Sequence, residues 1–233
     1  MLIESLMKTG LTRHESELYV ALCREGDLTG YEAAKVTGIP RGNAYQALAG
    51  LVDKGGAYIV EGSVQHYTAV PVEEYCSNVM REMGEVVKKI KQSCPAVRQV
   101  SEPYITISGL NHILDKMKNI LGQARERVYI SMESGDLGFI RDELSQAAER
   151  GLKVVVITSG NVDIPGTKIH VIHKRAGQVR LIADSAHVLT GEISGDESDV
   201  CLYSRNKPLI ELIKDSLTNE IKLAEINEGS KQK

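Results

Sequence analysis

The spacing of one alanine, one glycine and one proline near the start of the chain restricts its fold most strongly. Gly38 follows Ala34 by four residues, and Pro40 comes two residues later. A small residue lets two short helices cross closely, and glycine permits the tight turn between them. Proline suits the first turn of the next helix, because its missing N–H would have no partner there. This spacing is typical of a helix-turn-helix, whose second helix lies in the DNA major groove.

The flanking segments extend this motif into a small domain. A first helix is predicted from Thr12, because Glu15 three residues later completes a capping-box pattern. Thr29 and Pro40 are predicted to begin two further helices. Two β-rich runs within residues 57–70 surround a glycine-containing turn and predict a hairpin. Three helices and a hairpin indicate a winged helix-turn-helix, with a small α+β domain without a DNA role as the alternative.

The third predicted helix begins with side chains suited to reading bases. Arg41, Asn43 and Gln46 can each bond bidentately to base edges, whereas a solvated face more often carries Glu and Lys. Thr29, Tyr45 and His66 complete the predicted contacts to double-stranded DNA, although His66 also fits an ordinary surface position.

The charge of the chain does not by itself indicate nucleic-acid binding. The formal net charge is −3, and residues 1–70 hold six Lys and Arg against eight Asp and Glu. Basic domains are the usual electrostatic footprint of DNA binding. DNA binding by this chain therefore requires a local basic face, two copies in the complex, or both.

A heptad pattern follows the predicted wing. Apolar residues recur from Val72 onward in steps that alternate between four and three, which favours pairing of helices. The sequence thus predicts a homodimer in which this stripe contacts its copy, through Cys76, Val79, Met83, Val86 and Ile90. Such a dimer would place two recognition helices one DNA turn apart. The alternative is a helix that packs on the second domain of the same chain.

The second half of the chain alternates strands and helices. This order predicts an α/β domain with a mostly parallel sheet covered on both faces. Ligands of such sheets bind at the carboxyl ends of strands. Glu133 and Asp136 follow one predicted strand, and Thr158 and Asn161 lie at the end of another, which makes them candidate ligand-binding residues.

The N-terminal segment resembles the TrmB family of mostly archaeal transcriptional regulators. The resemblance rests on residues that occur in order with matching gaps: Gly10, Leu11, Thr12, Glu15, Tyr19, Leu22, Ile39, Pro40, Arg41, Tyr45, Leu48, Leu51, Lys54, Gly55, Tyr67, Ala69, Val70 and Pro71. It implies a winged helix whose recognition helix starts at Pro40, and regulation of metabolic genes. Gly42 departs from the family pattern, in which a small polar or basic residue is usual.

The C-terminal half is similar to the phospholipase-D-like fold. Asp184 and Gly191 match the aspartate and the glycine of that family's motif, and Asp184 joins the candidate ligand-binding residues. The histidine, lysine and serine positions hold Gly177, Val179 and Glu192. Because the enzymes need histidine as nucleophile and lysine to hold the phosphate charge, the resemblance implies the fold without the reaction. No catalytic residue, metal or cofactor is expected.

Together these features predict a cytoplasmic, dimeric, sequence-specific DNA-binding transcriptional regulator. Residues 1–71 form the winged helix-turn-helix, residues 72–100 the dimerisation helix, and residues 101–233 a phospholipase-D-like domain. This last domain is expected to sense a small molecule or to assemble the oligomer. The alternative from another class is a DNA-directed phosphodiesterase or nuclease, and a third is an architectural protein without an effector. No apolar run approaches the ~20 residues of a membrane span.

Overall fold

The computed structural model describes residues 1–95, 104–173 and 176–231. The chain divides into two compact units, Met1–Val97 and Arg98–Lys233. The predicted boundary between residues 100 and 101 lies outside the described residues. The predicted fold class is confirmed: an α+β winged helix and a long helix, followed by an α/β domain.

The first unit contains a helical bundle, a small sheet and a long helix. Its helices are α1 (Leu2–Lys8), α2 (Arg13–Glu25), α3 (Gly30–Thr37), α4 (Arg41–Asp53) and α5 (Val72–Ser93), and its strands are β1 (Leu28–Thr29), β2 (Ala57–Val60) and β3 (His66–Ala69). The sheet is antiparallel, in the order β1-β3-β2. The three predicted helices and the hairpin are present, and α1 and β1 are additional.

Caps and a shared core explain why the first unit adopts this fold. Thr12 begins α2 and Thr29 begins α3, and each forms a complete capping box with the glutamate three residues later. Leu18 and Leu48, on α2 and α4, are fully buried in one cluster with the first turn of α5. This burial holds α4 by its apolar side and leaves the opposite side exposed.

The second unit is built on one seven-stranded sheet. Its elements are β4 (Tyr104–Ser108), α6 (Leu110–Gln123), β5 (Arg127–Ser131), a 3-10 turn (Asp136–Ile140), α7 (Arg141–Glu149), β6 (Lys153–Thr158), β7 (Lys168–Val171), β8 (Gln178–Ala183), β9 (His187–Glu192), β10 (Val200–Ser204) and α8 (Lys207–Lys231). The strand order is β4-β10-β9-β8-β5-β6-β7.

The prediction of a mostly parallel sheet is wrong. Among the described strands only β5–β6 and β6–β7 pair in parallel, whereas the other four pairs are antiparallel. The physical reason is that β8, β9 and β10 follow one another without an intervening helix, and short turns can join only antiparallel neighbours.

Helices cover both faces of this sheet, as predicted. Residues of α6 and α7 share one buried cluster with Val128 and Ile130 of β5, and residues of α8 share another with Ile182 of β8. A largely buried ion pair fixes α8, because the Arg180 guanidinium lies 2.5 Å from the Glu220 carboxylate.

Candidate functional site

The start of α4 presents a polar surface backed by an apolar one. Arg41, Asn43 and Gln46 are exposed, whereas Ala44 and Leu48 are fully buried. The buried side packs in the core of the first unit and fixes the orientation of the exposed side. The three predicted base-reading residues therefore lie together at the N-terminal end of α4, where a recognition helix contacts bases.

Arg41 is positioned by an aromatic side chain on the preceding helix. Its guanidinium carbon lies 4.3 Å from the centroid of the Tyr31 ring, and this ring is 49% exposed. A guanidinium over a ring face is held by a cation–π interaction of ~0.5–1 kcal/mol at an exposed site. Tyr31 was not among the predicted site residues, because one exposed aromatic at a helix start has no distinctive sequence pattern.

Tyr45 and Thr29 have structural contacts in this region. The Tyr45 ring lies against Gly30, where an added Cβ would come within 2.3 Å of the ring. The Thr29 hydroxyl accepts a hydrogen bond from the Glu32 N–H and donates one to the Glu32 carboxylate, at 3.2 and 2.8 Å. The Glu32 pKa is lowered first by its hydrogen bonds with Thr29. Thr29 therefore serves helix capping, and Tyr45 packs against the start of α3 while staying half exposed.

The wing places one more predicted residue beside α3. His66 pairs with Thr29 across β1 and β3, and its Nδ1 lies 2.9 Å from the carbonyl oxygen of Val64.

The Tyr58 hydroxyl donates to the Glu74 carboxylate at 2.7 Å, which ties β2 to the first turn of α5.

The apolar stripe of α5 divides into a buried and an exposed part. Tyr75 is 1% exposed, and Val79 packs partly buried against the core of the first unit. Cys76 is exposed. From Met80 onward the stripe is exposed, through Met80, Met83, Val86, Val87 and Ile90. Of the five predicted dimer residues, Val79 therefore packs against the core of its own unit. Cys76 is exposed and does not belong to that core.

Two of the predicted ligand-binding residues line one cavity. Glu133 and Asp136 border a space of about 690 Å³, together with Gly177, Glu192 and Asp199. Burial, followed by the carboxylates of Glu133 and Asp199, raises the pKa of Asp136. This acidic cavity lies where β5 ends, and the carboxyl ends of strands are where ligands of such sheets bind.

The other predicted ligand-binding residues lie elsewhere. Thr158 is fully buried at the end of β6, Asn161 is exposed in the following loop, and neither lines the acidic cavity. In the described residues the Thr158 hydroxyl has no hydrogen-bond partner.

Asp184 lies at the opposite end of the sheet from the acidic cavity. Because β8 runs antiparallel to β5, Ala183 pairs with Val128 near the beginning of β5. The Asp184 carboxylate accepts hydrogen bonds from the backbone N–H groups of residues 125, 126 and 127 at 2.8–2.9 Å. Burial raises the pKa of Asp184, but these donors outweigh it and the net shift is downward. Its observed role is to hold the chain before β5.

The positions of the missing histidine and lysine leave little room for those side chains. Gly177 has φ +73°, and a Cβ there would lie 2.7 Å from the carbonyl oxygen of Ile193. Val179 is fully buried. The site that matches the enzymes' nucleophile is therefore closed to a side chain, and the adjoining cavity carries carboxylates.

Comparison with known proteins assigns both units to one family. Residues 6–73 match the model of the sugar-specific transcriptional regulator TrmB, and residues 104–220 match the model of the EBD N-terminal subdomain of the transcriptional regulator TrmB. The chain belongs to the TrmB family. The predicted resemblance is confirmed, as is the prediction of a DNA-binding transcriptional regulator with a winged helix-turn-helix.

Curated relatives of this TrmB-family chain come from bacteria and archaea. The uncharacterized protein YrhO of Bacillus subtilis is 29% identical over 202 residues, covering 85% of this chain and 72% of YrhO. The sugar-sensing transcriptional regulator TrmBL1 of Pyrococcus furiosus is 25% identical over 185 residues, covering 76% of this chain but only 53% of TrmBL1. This TrmB-family chain thus matches about half the length of TrmBL1.

Solved structures similar to the TrmB-family chain come from an archaeon and from a bacterium. TrmBL2, an archaeal chromatin protein, is 19% identical with a TM-score of 0.44, covering 94% of this chain and 96% of TrmBL2. NucT from Helicobacter pylori is 18% identical with a TM-score of 0.46, covering 52% of this chain and 97% of NucT. Within the described residues of the TrmB-family chain, none of the helices has the length and apolar character needed to cross a membrane.

Proposed function

We propose that this TrmB-family chain is a cytoplasmic homodimer that binds double-stranded DNA with sequence specificity through α4. The observation that carries the proposal is the exposed start of α4, where Arg41, Asn43 and Gln46 lie on one side and buried alanine and leucine on the other. Each of these side chains can pair bidentately with a base edge. Arg41 is preorganised by Tyr31, which lowers the entropic cost of contacting a base.

Dimerisation is supported by the exposed stripe of α5. Met83, Val86 and Ile90 are 57%, 41% and 57% exposed, although their spacing is that of a helix-pairing interface. Burying them against a copy would remove apolar surface from water. A dimer would also double the number of DNA contacts, which matters for a chain whose first 70 residues carry more acidic than basic side chains.

The second unit is proposed to be a sensor without catalytic activity. Gly177 and Val179 supply neither a nucleophile nor a cation for a phosphodiester, so the alternative of a DNA-directed nuclease lacks its central groups. The seven-stranded sheet is a scaffold that can be reused for ligand binding, because fold and function separate readily.

Binding-site mapping across a genome, followed by titration of the best site, tests the DNA proposal. Arg41→Ala should weaken binding of that duplex by ~1–3 kcal/mol and relax the preference at one base position. Arg13→Ala is the matched control, because Arg13 is an exposed arginine at the start of α2, outside α4, where it pairs with Glu17. Equal binding of the specific duplex by wild type and Arg41→Ala would contradict the assignment of α4 as the recognition helix.

A further inference from the structure

The second unit holds a basic cavity at the opposite end of β5 from the acidic one. Its space is about 400 Å³, and five cationic side chains border it: Arg127, Lys153, Lys168, Lys214 and Lys222. Among the described residues that line it, Glu225 is the only carboxylate. The cavity therefore concentrates positive charge in a chain whose net charge is −3.

The topology of the sheet brings three of these cations together. Arg127 begins β5, Lys153 begins β6 and Lys168 begins β7. These three strands are parallel neighbours, with Arg127 opposite Lys153 and Lys168 opposite Val155. The three side chains are distant in sequence but follow one another along a single edge of the sheet.

Helix α8 supplies the other wall of the cavity. Lys214, Thr218 and Lys222 line it and recur every four residues, so they lie on one side of the helix. The Arg180–Glu220 ion pair anchors this part of α8 to β8. The wall is therefore fixed in place by packing and by a largely buried pair, unlike a row of cations on a free surface helix.

The floor of the cavity is apolar and aromatic. Tyr129, Val155, Ile182, Leu217 and Ile221 form it, and the Lys153 ammonium lies 5.7 Å from the centroid of the Tyr129 ring. A volume of this size and a lining of apolar side chains with a few convergent charged groups are typical of small-molecule sites. The floor suits a compact organic body, and the rim suits negative charge.

Electrostatics favour an anion at this position. Five like charges around one space repel one another. Three of them have exposed carboxylate partners, Arg127 with Glu126 at 3.2 Å, Lys168 with Glu225 at 3.5 Å and Lys214 with Glu211 at 3.4 Å, and such exposed pairs offset only part of the repulsion. A phosphate group carries about −1.5 to −2 charges at neutral pH and accepts several charge-assisted hydrogen bonds. The acidic cavity at the other end of β5 would repel the same group.

We propose that the basic cavity between α8 and the starts of β5, β6 and β7 binds a small organic molecule that carries phosphate groups. This inference concerns the second unit alone, so it holds or fails independently of DNA recognition by α4. It also moves the sensor function away from the predicted residues Glu133 and Asp136.

Isothermal titration calorimetry on the full chain, without DNA, tests this site. The probes are ATP with adenosine, glucose 6-phosphate with glucose, and pyrophosphate. We expect at least one phosphorylated probe to bind, about tenfold or more tightly than its neutral partner. Lys153→Gln and Lys214→Gln should each weaken that binding about tenfold, because each removes a charge-assisted contact. Lys207→Gln, an exposed lysine of α8 outside the cavity, should leave it unchanged.

Three results would overturn the proposal. The first is that no phosphorylated probe binds at millimolar concentration. The second is that Lys207→Gln weakens binding as much as the two cavity substitutions, because the attraction would then be a general charge effect. The third is that the cavity substitutions weaken binding of random-sequence duplex DNA while no small probe binds, which would assign the lysines to the DNA backbone. Circular dichroism of each variant verifies that it is folded.

Discussion

The ammonium group of Lys54 lies 2.7 Å from the carboxylate of Glu15 and joins the end of α4 to the beginning of α2. Lys54 also donates to the carbonyl oxygen of Gly10 at 3.0 Å. Glu15 has a second role, because its carboxylate accepts the Thr12 N–H in the capping box of α2. One buried carboxylate therefore fixes both the start of α2 and the far end of α4, the helix proposed to read DNA.

Replacing Glu15 with Gln should destabilise the first unit. The substitution keeps the shape of the side chain but removes the charge that satisfies both Lys54 and the Thr12 N–H. Loss of hydrogen bonds to a charged group costs ~1.5–3 kcal/mol. Urea unfolding at pH 7 measures this loss. Glu17→Gln is the control, because the Arg13–Glu17 pair is exposed and such pairs contribute ~0–1 kcal/mol.

The same pair predicts a dependence of stability on pH. Burial raises the pKa of Glu15, whereas Lys54 and Thr12 lower it, and the net shift is below its ordinary value of 4.5. Stability from a depressed pKa is present above the unfolded value and is lost as the pH falls through the folded value. The difference in unfolding free energy between wild type and Glu15→Gln should therefore shrink as the pH falls below 4.5. A constant difference would contradict the ion-pair interpretation.

Tyr31 should contribute to DNA affinity without contacting a base. Tyr31→Leu removes the ring over which the Arg41 guanidinium lies, so Arg41 loses a preferred orientation. The expected loss of DNA affinity is ~0.5–1 kcal/mol, the size of an exposed cation–π interaction. Tyr31→Phe keeps the ring face and should bind nearly as wild type does. If Phe and Leu weaken binding equally, the hydroxyl rather than the ring is what matters.

The sequence patterns predicted the three main helices and the hairpin of the first unit, but they missed two short elements, α1 and β1. Capping boxes at Thr12 and Thr29 and the turn at Gly38 are local signals, and the structure has helices at each of them. Helix α1 was missed because it is only seven residues long, has no side-chain cap at Met1 and buries only Leu6. Strand β1 was missed because its two residues precede a helix cap, and it exists only by pairing with β3.

Strand direction and the assembly of the ligand site were less predictable. The alternation of strands and helices applies to β5 and β6, but from β8 onward the chain continues through β9 and β10 without an intervening helix. Asp184 and Ser185 adopt positive φ in one of these turns, a local feature of a hairpin. Because β8 runs antiparallel to β5, Asp184 and Glu133 lie at opposite sheet ends. The basic cavity could not be predicted from the sequence, because its lysines are far apart along the chain and form no motif.

Charges in the exposed part of the α5 stripe should dissociate the proposed dimer. Val86→Asp with Ile90→Asp places two carboxylates where an apolar interface is proposed, and burial of unpaired charge is strongly unfavourable. Sedimentation velocity should then report a monomer that keeps its helical circular dichroism. Val79→Asp would be a poor test, because Val79 packs against the core of its own unit.

Gln92→Asp is the control for this experiment, since position 92 lies on the side of α5 opposite to the stripe. It should leave the sedimentation coefficient unchanged. An intact dimer in the double variant would contradict the proposal that this stripe is the interface and would direct the search for it to the second unit first.

The second unit should lack phosphodiesterase activity, and restoring the motif residues should not create it. Wild type is expected to leave bis-p-nitrophenyl phosphate intact, because no histidine or lysine occupies the motif positions. Gly177→His with Val179→Lys should also be inactive. The backbone at Gly177 has φ +73° and a Cβ there would lie 2.7 Å from the Ile193 carbonyl oxygen, while position 179 is fully buried and would hold an unpaired ammonium. Wild-type turnover that follows the protein through two chromatography steps and is lost in Glu192→Gln would contradict this prediction, since Glu192 lines the acidic cavity where a reaction would have to occur.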